Sequence, residues 1–391
     1  MAGPAIALAA RQRGLDAVVL ERRPVVDPAE GSWITVSPNG LDALDVLGVL
    51  PAVRLIGAPS RQNRMFGATG RLLGELSLGV PLADGTVALT MKRSALAAVL
   101  TDAARQAGAE VRLGAEVVTV RDTGEGVTVE LADGATITGD VVVGADGVRS
   151  RVRTWLDPAA PAARYVGLTN FGGITRAADV PPAVDLVPEA WHFVFGRRSF
   201  TGFHPLPTGD VVWFVNVPRP EIDRAERAST TDETWLAWLR GLVADDAGPG
   251  PALVGAGTLE LAGDNTYDLR RVPTWWRGRT VLVGDAVHAP SPSSGQGASM
   301  ALEDAVVLAD ALATHGVHGL AGYEQARRKR VEKIVTNGAR SSSAKIPGPV
   351  GRRVQEAMLR ALFHTVVTEK STAWITGHRL ARSAAPAHPR P

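Results

Sequence analysis

Gly284 and Asp285 close the apolar run Val281–Val283, and a loop rich in Pro, Ser and Gly follows, ending at Gly295-Gln296-Gly297-Ala298. The run reads as a buried strand and the residues after Gly297 as a helix. An aspartate at a strand end can accept hydrogen bonds from sugar hydroxyls. Exposed amides at a helix start can hold an oxyanion or an electron-rich ring. Gly284, Asp285, Pro292, Gly295, Gln296, Gly297 and Ala298 are therefore read as a cofactor clamp in preference to an ordinary strand-loop-helix joint.

Two further constellations carry the same chemistry. Val141–Val143 runs into Gly144-Ala145-Asp146-Gly147, and Ser150 then opens a basic helix. Asp-Gly by itself marks only a turn. Its place at a strand end, with Arg149 and Arg153 near, and the close ligand approach that Gly147 permits, make Asp146 and Gly147 candidates for a second contact. Near the start, residues 3 to 13 carry Ala-rich helical spacing, Gly14 ends it, and Ala17–Leu20 is a short strand closing on Glu21 and Arg22. Helix, strand and acid form the second half of a dinucleotide-binding βαβ unit. Gly3 stands where the third glycine of G-x-G-x-x-G belongs, with Glu21 18 residues later. Glu21 would accept two hydrogen bonds from ribose hydroxyls, with Arg22 beside it; a solvated strand end is the plainer alternative. The first strand and first two glycines of that fingerprint are not in the chain, so the expectation is a true start upstream of Met1. Gly255-Ala256-Gly257 also offers G-x-G, but Glu260 occupies the third glycine position, and the segment reads as a turn.

The elements that must position these residues follow from periodicity. Helices are expected near Asn39–Leu47 and Arg93–Ala107. Strands are expected at Glu110–Leu113, Glu116–Arg121, Gly126–Leu131 and Thr136–Val143. The texture changes near Pro158: eleven of the 20 aromatic residues lie between Tyr165 and Trp238, in an alternating pattern. Trp191, Phe193 and Phe195 point one way, His192 and Val194 the other, as in an antiparallel sheet with one covered face. Aromatic lining suits an apolar pocket, and a sheet packed on helices without a ligand explains it equally. From Arg279 the α/β texture returns. The expected fold is α/β: a Rossmann-like domain lacking its first strand (1–61, 92–160 and 264–345), with an inserted antiparallel β-sheet substrate domain (62–91 and 161–263). Helices over 346–380, Val354–Val366 among them, and a disordered tail at 381–391 complete the chain.

Composition narrows the classes. A chain of 391 residues admits two or three domains at ~150 residues each. A net charge of +2 gives no reason to expect nucleic acid. With no Cys, disulfides, thiolate catalysis and Cys-based metal sites are excluded, and no metal is expected. No apolar run reaches the ~18 residues of a membrane span, and the start lacks the basic region of a signal peptide. A cytoplasmic protein is expected, either monomer or homodimer.

In this order, the three segments resemble the flavoprotein monooxygenases of the para-hydroxybenzoate hydroxylase type. Matching stretches include Ser37–Gly40, Arg93 with Leu96, Pro273 with Trp276 and Gly278-Arg279, and Glu303–Ala305, over roughly residues 1 to 335. The resemblance implies FAD, with NADH or NADPH as electron donor. It places Gly3, Glu21 and Arg22 on the adenosine side, Arg93 at the phosphate and ribitol region, and Val117 beside adenine. It gives Asp146 and Gly147 contacts to FAD and the nicotinamide, and Asp285 the ribitol. Pro292 and Gly295–Ala298 flank the isoalloxazine ring. It implies hydroxylation of an aromatic or polyketide-like small molecule by O2 through a flavin C4a-hydroperoxide. His192, Phe203 and His204, with Pro292, are the substrate-side candidates. His288 reads as a support for the loop, and Glu303-Asp304 as a cap or bridge. Two alternatives stand beside this reading. One is a degenerate, non-catalytic flavoprotein, because the first strand and G-x-G are absent. The other is a halogenase or prenyl reductase of the same fold, although Thr274–Arg277 does not supply the halogenase W-x-W-x-I-P signature.

Overall fold

A computed structural model of the chain describes residues 1–343, 351, 356–361 and 369–381. The chain opens with α1 (Ala2–Gln12), β1 (Val18–Glu21), β2 (Trp33–Val36), α2 (Pro38–Val46) and α3 (Leu50–Ile56). It continues through β3 (Ala58–Ser60), β4 (Gln62–Gly67), β5 (Leu72–Ser77), β6 (Ala88–Lys92), α4 (Arg93–Gln106) and β7 (Glu110–Leu113). Then come β8 (Val117–Asp122), β9 (Val127–Leu131), β10 (Thr136–Gly139), β11 (Val142–Gly144) and α5 (Arg151–Leu156). The aromatic-rich part supplies β12 (Arg164–Thr175), β13 (Ala190–Phe195), β14 (Phe200–Pro205), β15 (Val211–Pro218), α6 (Arg224–Ser229), α7 (Asp232–Val243), α8 (Gly250–Ala256) and β16 (Thr258–Asp268). Last are β17 (Trp276–Arg277), β18 (Thr280–Leu282), α9 (Gly297–His315), α10 (Gly319–Ser343) and α11 (Glu369–Thr376). Most of Val354–Val366 and the tail from 382 lie outside the described residues.

β4 runs parallel to β13 in the sheet that also carries the expected antiparallel pairs, and the other parallel strands fall into two groups. β1 pairs with β7, and β11 pairs with β18. β1 and β11 do not pair with each other, and each keeps one unpaired edge among the described residues. Helix α1 spans both groups. Its alanines, Ala5, Ala7, Ala9 and Ala10, are buried against α4 and α9, because short side chains let helices approach closely. A Cβ on Gly3 would sit 3.8 Å from both Ala145 Cβ and Val19 Cγ1, so the helix begins directly over the two strand ends.

Three expectations are corrected here. Thr136–Val143 is two strands. β10 pairs antiparallel with β9, whereas β11 turns away to run parallel to β18, and residues of one straight strand cannot serve both partners. The Gly255–Gly257 turn is the last turn of α8 entering β16. β6, which the sequence groups with the substrate sheet, pairs with β2 and β3.

The seven-stranded sheet runs β16-β12-β15-β14-β13-β4-β5. Alternation gives it two faces. Phe171, Phe203, Trp213 and Val215 pack on Trp235 and Leu239 of α7. The opposite face carries Ile174, Trp191 and Val212, with Phe193 and Phe214, and meets Trp33 of β2. Trp191 Nε1 donates across that seam to Thr35 Oγ1 (2.9 Å) and Thr90 Oγ1 (3.2 Å). The buried indole is thereby satisfied, and the register of the sheet against β2 and β6 is fixed.

A buried ionic cluster joins α9 to α10. Arg327 donates from Nε to Asp304 Oδ1 (2.8 Å) and from Nη1 to Glu303 Oε2 (2.5 Å), and Arg330 reaches both oxygens of Glu303. Glu303 and Asp304 are 0% exposed and Arg327 is 2%. Burial alone would raise both carboxyls. Arg327 and Arg330 outweigh it at Glu303, and His288 and Arg327 at Asp304, so both carboxyls lie below their ordinary range. Their contribution to stability is therefore full above the usual carboxylate pKa and is lost as pH falls below it. Arg327→Leu removes the cation shared by two buried anions and should cost about 3–5 kcal/mol in urea unfolding at neutral pH, while Arg327→Leu combined with Glu303→Gln and Asp304→Asn should cost clearly less. A single-variant loss below about 1 kcal/mol contradicts the role given to the cluster.

Candidate functional site

Gly284 has φ +57°, and a Cβ there would stand 3.2 Å from Ala301 Cβ and 3.3 Å from Ala2 Cβ. Only glycine lets this turn seat against both α9 and the start of α1. Its amide donates to Asp304 Oδ2 (2.9 Å), which also accepts from His288 Nε2 (2.5 Å). One buried carboxylate thus fixes both ends of the turn and leaves Asp285 projecting outward. Asp285 is half-buried, and its carboxylate has no hydrogen-bond partner among the described residues. Farther along, Gly295 turns the loop at φ +61°. Gln296, 3% exposed, donates to Ser37 Oγ (3.0 Å) and accepts from Asn39 Nδ2 (3.1 Å). Its side chain anchors the loop to α2 and is turned away from the clamp. Helix α9 then starts with no side-chain cap and no acid in its first turn, leaving the amides of Gly297 and Ala298 available. A Cβ on Gly297 would be 3.7 Å from Asp285 Oδ1, so carboxylate and helix start face one cradle.

The Asp146-Gly147 turn is tied to this loop by a residue whose role the sequence did not reveal. Arg153, 4% exposed, donates from Nη1 to Ala286 O (2.8 Å) and from Nη2 to Val148 O (2.9 Å). Asp146 itself is partly committed: Oδ2 accepts from the amides of Arg151 (2.7 Å) and Val152 (3.1 Å) and caps α5. Its other oxygen accepts no hydrogen bond from the described residues. Gly147, at φ +81°, makes the turn possible.

The N-terminal candidates converge on the same place. The Met1 amine is pushed down to about 6 by burial and by Arg93, against the pull of Glu21 and Asp285. Glu21, Arg93 and Asp285 therefore surround the start of α1. Arg93 and Arg22 are exposed and make no ion pair or hydrogen bond through their guanidinium groups among the described residues. Glu21 Oε1 accepts from the Arg23 amide (3.0 Å). Val117 packs in a small cluster with Leu20 on the same side. Beside Arg93, Lys92 pairs with Glu260 (2.8 Å), which also accepts from Trp33 Nε1 (3.0 Å), joining β16 to β2 and β6. The donor set suits a dinucleotide: carboxylates for sugar hydroxyls, unpaired guanidinium groups for phosphate, and helix-start amides for an electron-rich ring.

The substrate-side candidates are redistributed. Phe203, 0% exposed, points into the α7 side of the sheet, and His192 stacks on Phe66 on that same face. Neither reaches the flank that meets β2. His204 does face β2, but it is sealed: Nε2 bonds with Ser60 Oγ (2.7 Å), which bonds in turn with Thr90 Oγ1 (2.8 Å). Burial, with His192 adding to it, lowers its pKa to about 4. The accessible surface on that flank is given instead by half-buried Phe193 and Phe214, with Asn170, Asn216 and Asp264 beyond them. On the far side of the sheet a cleft of about 420 Å³ is lined by Trp235 and Trp238. Arg219 lies over both rings and pairs with Glu226, and the cleft is lined by no motif residue. No helix among the described residues is long and apolar enough to cross a membrane.

The chain is similar to several known proteins over most of its length. The family described as FAD binding domain matches residues 1–338. The aurachin C monooxygenase/isomerase of Stigmatella aurantiaca is 30% identical over 346 residues, covering 86% of this chain and 85% of its own. The FAD-dependent urate hydroxylase of Klebsiella pneumoniae is 30% identical over 343 residues, covering 85% of each. Among solved structures, Klebsiella pneumoniae HpxO complexed with FAD and uric acid matches with a TM-score of 0.79, over 96% of this chain and 94% of its own, at 24% identity. A salicylate hydroxylase substrate complex matches with a TM-score of 0.77, over 100% of this chain and 97% of its own, at 22% identity. At those identities the two structures speak for the fold.

Because the His204 pKa is depressed on folding, the unfolded chain takes up this proton first, and stability falls as pH drops from about 6.5 toward 4. Between pH 7 and pH 5 the wild type should lose about 2 kcal/mol more than His204→Asn does, read by urea unfolding at both pH values. Equal losses would contradict a buried neutral imidazole.

Proposed function

Because the chain belongs to the FAD-dependent aromatic-ring monooxygenases of the para-hydroxybenzoate hydroxylase type, we propose that it hydroxylates a small aromatic or polyketide-like molecule using O2 and NADH or NADPH. One observation carries this reading: the unpaired side chains of Arg93 and Asp285 converge with Glu21 at the start of α1, on the flank that the aromatic sheet face closes.

FAD, when bound, supplies the two-electron chemistry that makes O2 an oxygen donor; the protein supplies binding, orientation and exclusion of water. Glu21 would accept from ribose hydroxyls, Arg93 would meet phosphate, and Asp285 would accept from a ribityl hydroxyl. The Gly297 and Ala298 amides at the uncapped start of α9 would favour negative charge on the ring. Gly284, Asp304 and Arg153 hold the carrier loops, so these groups are set before the cofactor arrives. Phe193 and Phe214 offer an apolar floor for an aromatic ring. The Trp33 seam screens that floor from bulk water on the β2 side.

Asp285→Ala removes a charged hydrogen-bond acceptor and should weaken FAD binding about 10- to 100-fold, read as bound flavin absorbance after desalting. Full flavin occupancy in that variant contradicts the placement of Asp285. In the wild type, NADH or NADPH oxidation should be stimulated by members of a phenol and polyketide panel, with product mass raised by one oxygen. Flavin-loaded protein with no such stimulated oxidation and no oxygenated product would contradict the proposed reaction.

A further inference from the structure

The seven-stranded sheet places Asp264, Asn170, Asn216 and Phe200 in one cross-strand row. Asn170 faces Asp264 on β16 and Asn216 on β15, and Asn216 faces Phe200 on β14. Their neighbours fix the direction. Phe171 and Val215 pack on the α7 side, and Asn265 bonds there to Ile222, so Asn170, Asn216 and Asp264 project to the opposite flank, toward the flavin domain. The next row carries Leu261, Gly172, Phe214, Gly202 and Phe193. A Cβ on Gly202 would stand 2.3 Å from the Phe214 ring, so glycine here lets that ring lie flat over β14. The surface is thus an aromatic floor ending in a polar row.

The polar row is unspent. The side chains of Asn170, Asn216 and Asp264 make no hydrogen bond among the described residues, although all three lie on strands. Asp264 is an exposed residue of the row, although neighbouring chain crowds its carboxyl. Burial raises its carboxyl against the pull of Arg227, Arg93 and Arg149. Of those cations, Arg227 is engaged with Gly263 O and Arg149 with Tyr267, and Arg93 is assigned to the cofactor above. The two rows contain no arginine or lysine. A carboxylate ligand laid on this floor would meet Asp264 with no cation of the sheet to offset the repulsion. An N–H or O–H donor would meet the Asp264 carboxylate, flanked by two amides whose oxygens can also accept.

Resting on the function proposed above, we propose that this row sets the substrate class: a planar, uncharged molecule that presents an N–H or O–H donor to Asp264, with Asn170 and Asn216 beside it, and not an aromatic carboxylate. A matched pair of probes tests this on the FAD-loaded full chain: 2-naphthol and 2-naphthoate share one apolar frame and differ in donor against anion. Affinity is read from the change in flavin absorbance at neutral pH, in wild type and in Asp264→Asn. The wild type should bind 2-naphthol at least tenfold more tightly than 2-naphthoate. Asp264→Asn should weaken 2-naphthol about tenfold, the worth of a hydrogen bond to a charged acceptor, and shrink the gap, with FAD affinity and thermal midpoint unchanged. Preference for 2-naphthoate, binding of neither probe, or a gap that Asp264→Asn leaves intact overturns the proposal alone. So does loss of FAD in Asp264→Asn, which would make Asp264 a cofactor residue. A wild-type chain that holds no FAD overturns the function beneath it as well.

Discussion

The carboxylate of Asp304 is the point on which the site depends. It is fully buried, and it accepts from the Gly284 amide, from His288 and from Arg327 at once. A buried anion is tolerable only when its lone pairs are met by donors. Here each donor belongs to a different piece of the site: the turn that carries Asp285, the loop that follows it, and the helix α10 behind. The same requirement that satisfies the charge therefore fixes the geometry. Glu303, one residue earlier, does the same for α2 through Asn39 and for α10 through Arg327 and Arg330.

Around that node the architecture separates two tasks. The parallel strands, α1 and the β6–α4 junction gather Glu21, Arg93 and Asp285 at one helix start. The large sheet presents an aromatic floor to the same flank. The seam between them is polar and specific: Trp191 with Thr35 and Thr90, and Glu260 with Lys92 and Trp33. Hydrogen bonds buried at such a seam fix relative position more than they add stability. They hold the floor at a set distance from the cofactor cradle.

Much of this was legible in the sequence where the chemistry is local. Glu21, Asp146-Gly147 and Gly284-Asp285 sit at strand ends that short apolar runs announce, and their types already say which ligand groups they suit. What stayed hidden depends on partners far along the chain. Arg153 looked like one cation of a basic helix, and only the fold brings it to Ala286. The alternation in β13 gave two faces correctly but not which face meets the flavin domain, so Phe203 and His192 were favoured over residues on the other flank. Asn170 and Asp264 become neighbours only through a register that shifts at bulges between β12 and β16, and no sequence period encodes such a shift. The break between β10 and β11 was hidden for a similar reason: both halves have strand composition, and only their pairing partners differ.

The central claim is that these converging side chains form a site for FAD. Calorimetric titration of the purified chain with FAD tests it most directly. Saturable binding of one FAD per chain is the expected result. Absence of saturable binding by properly folded protein would contradict it.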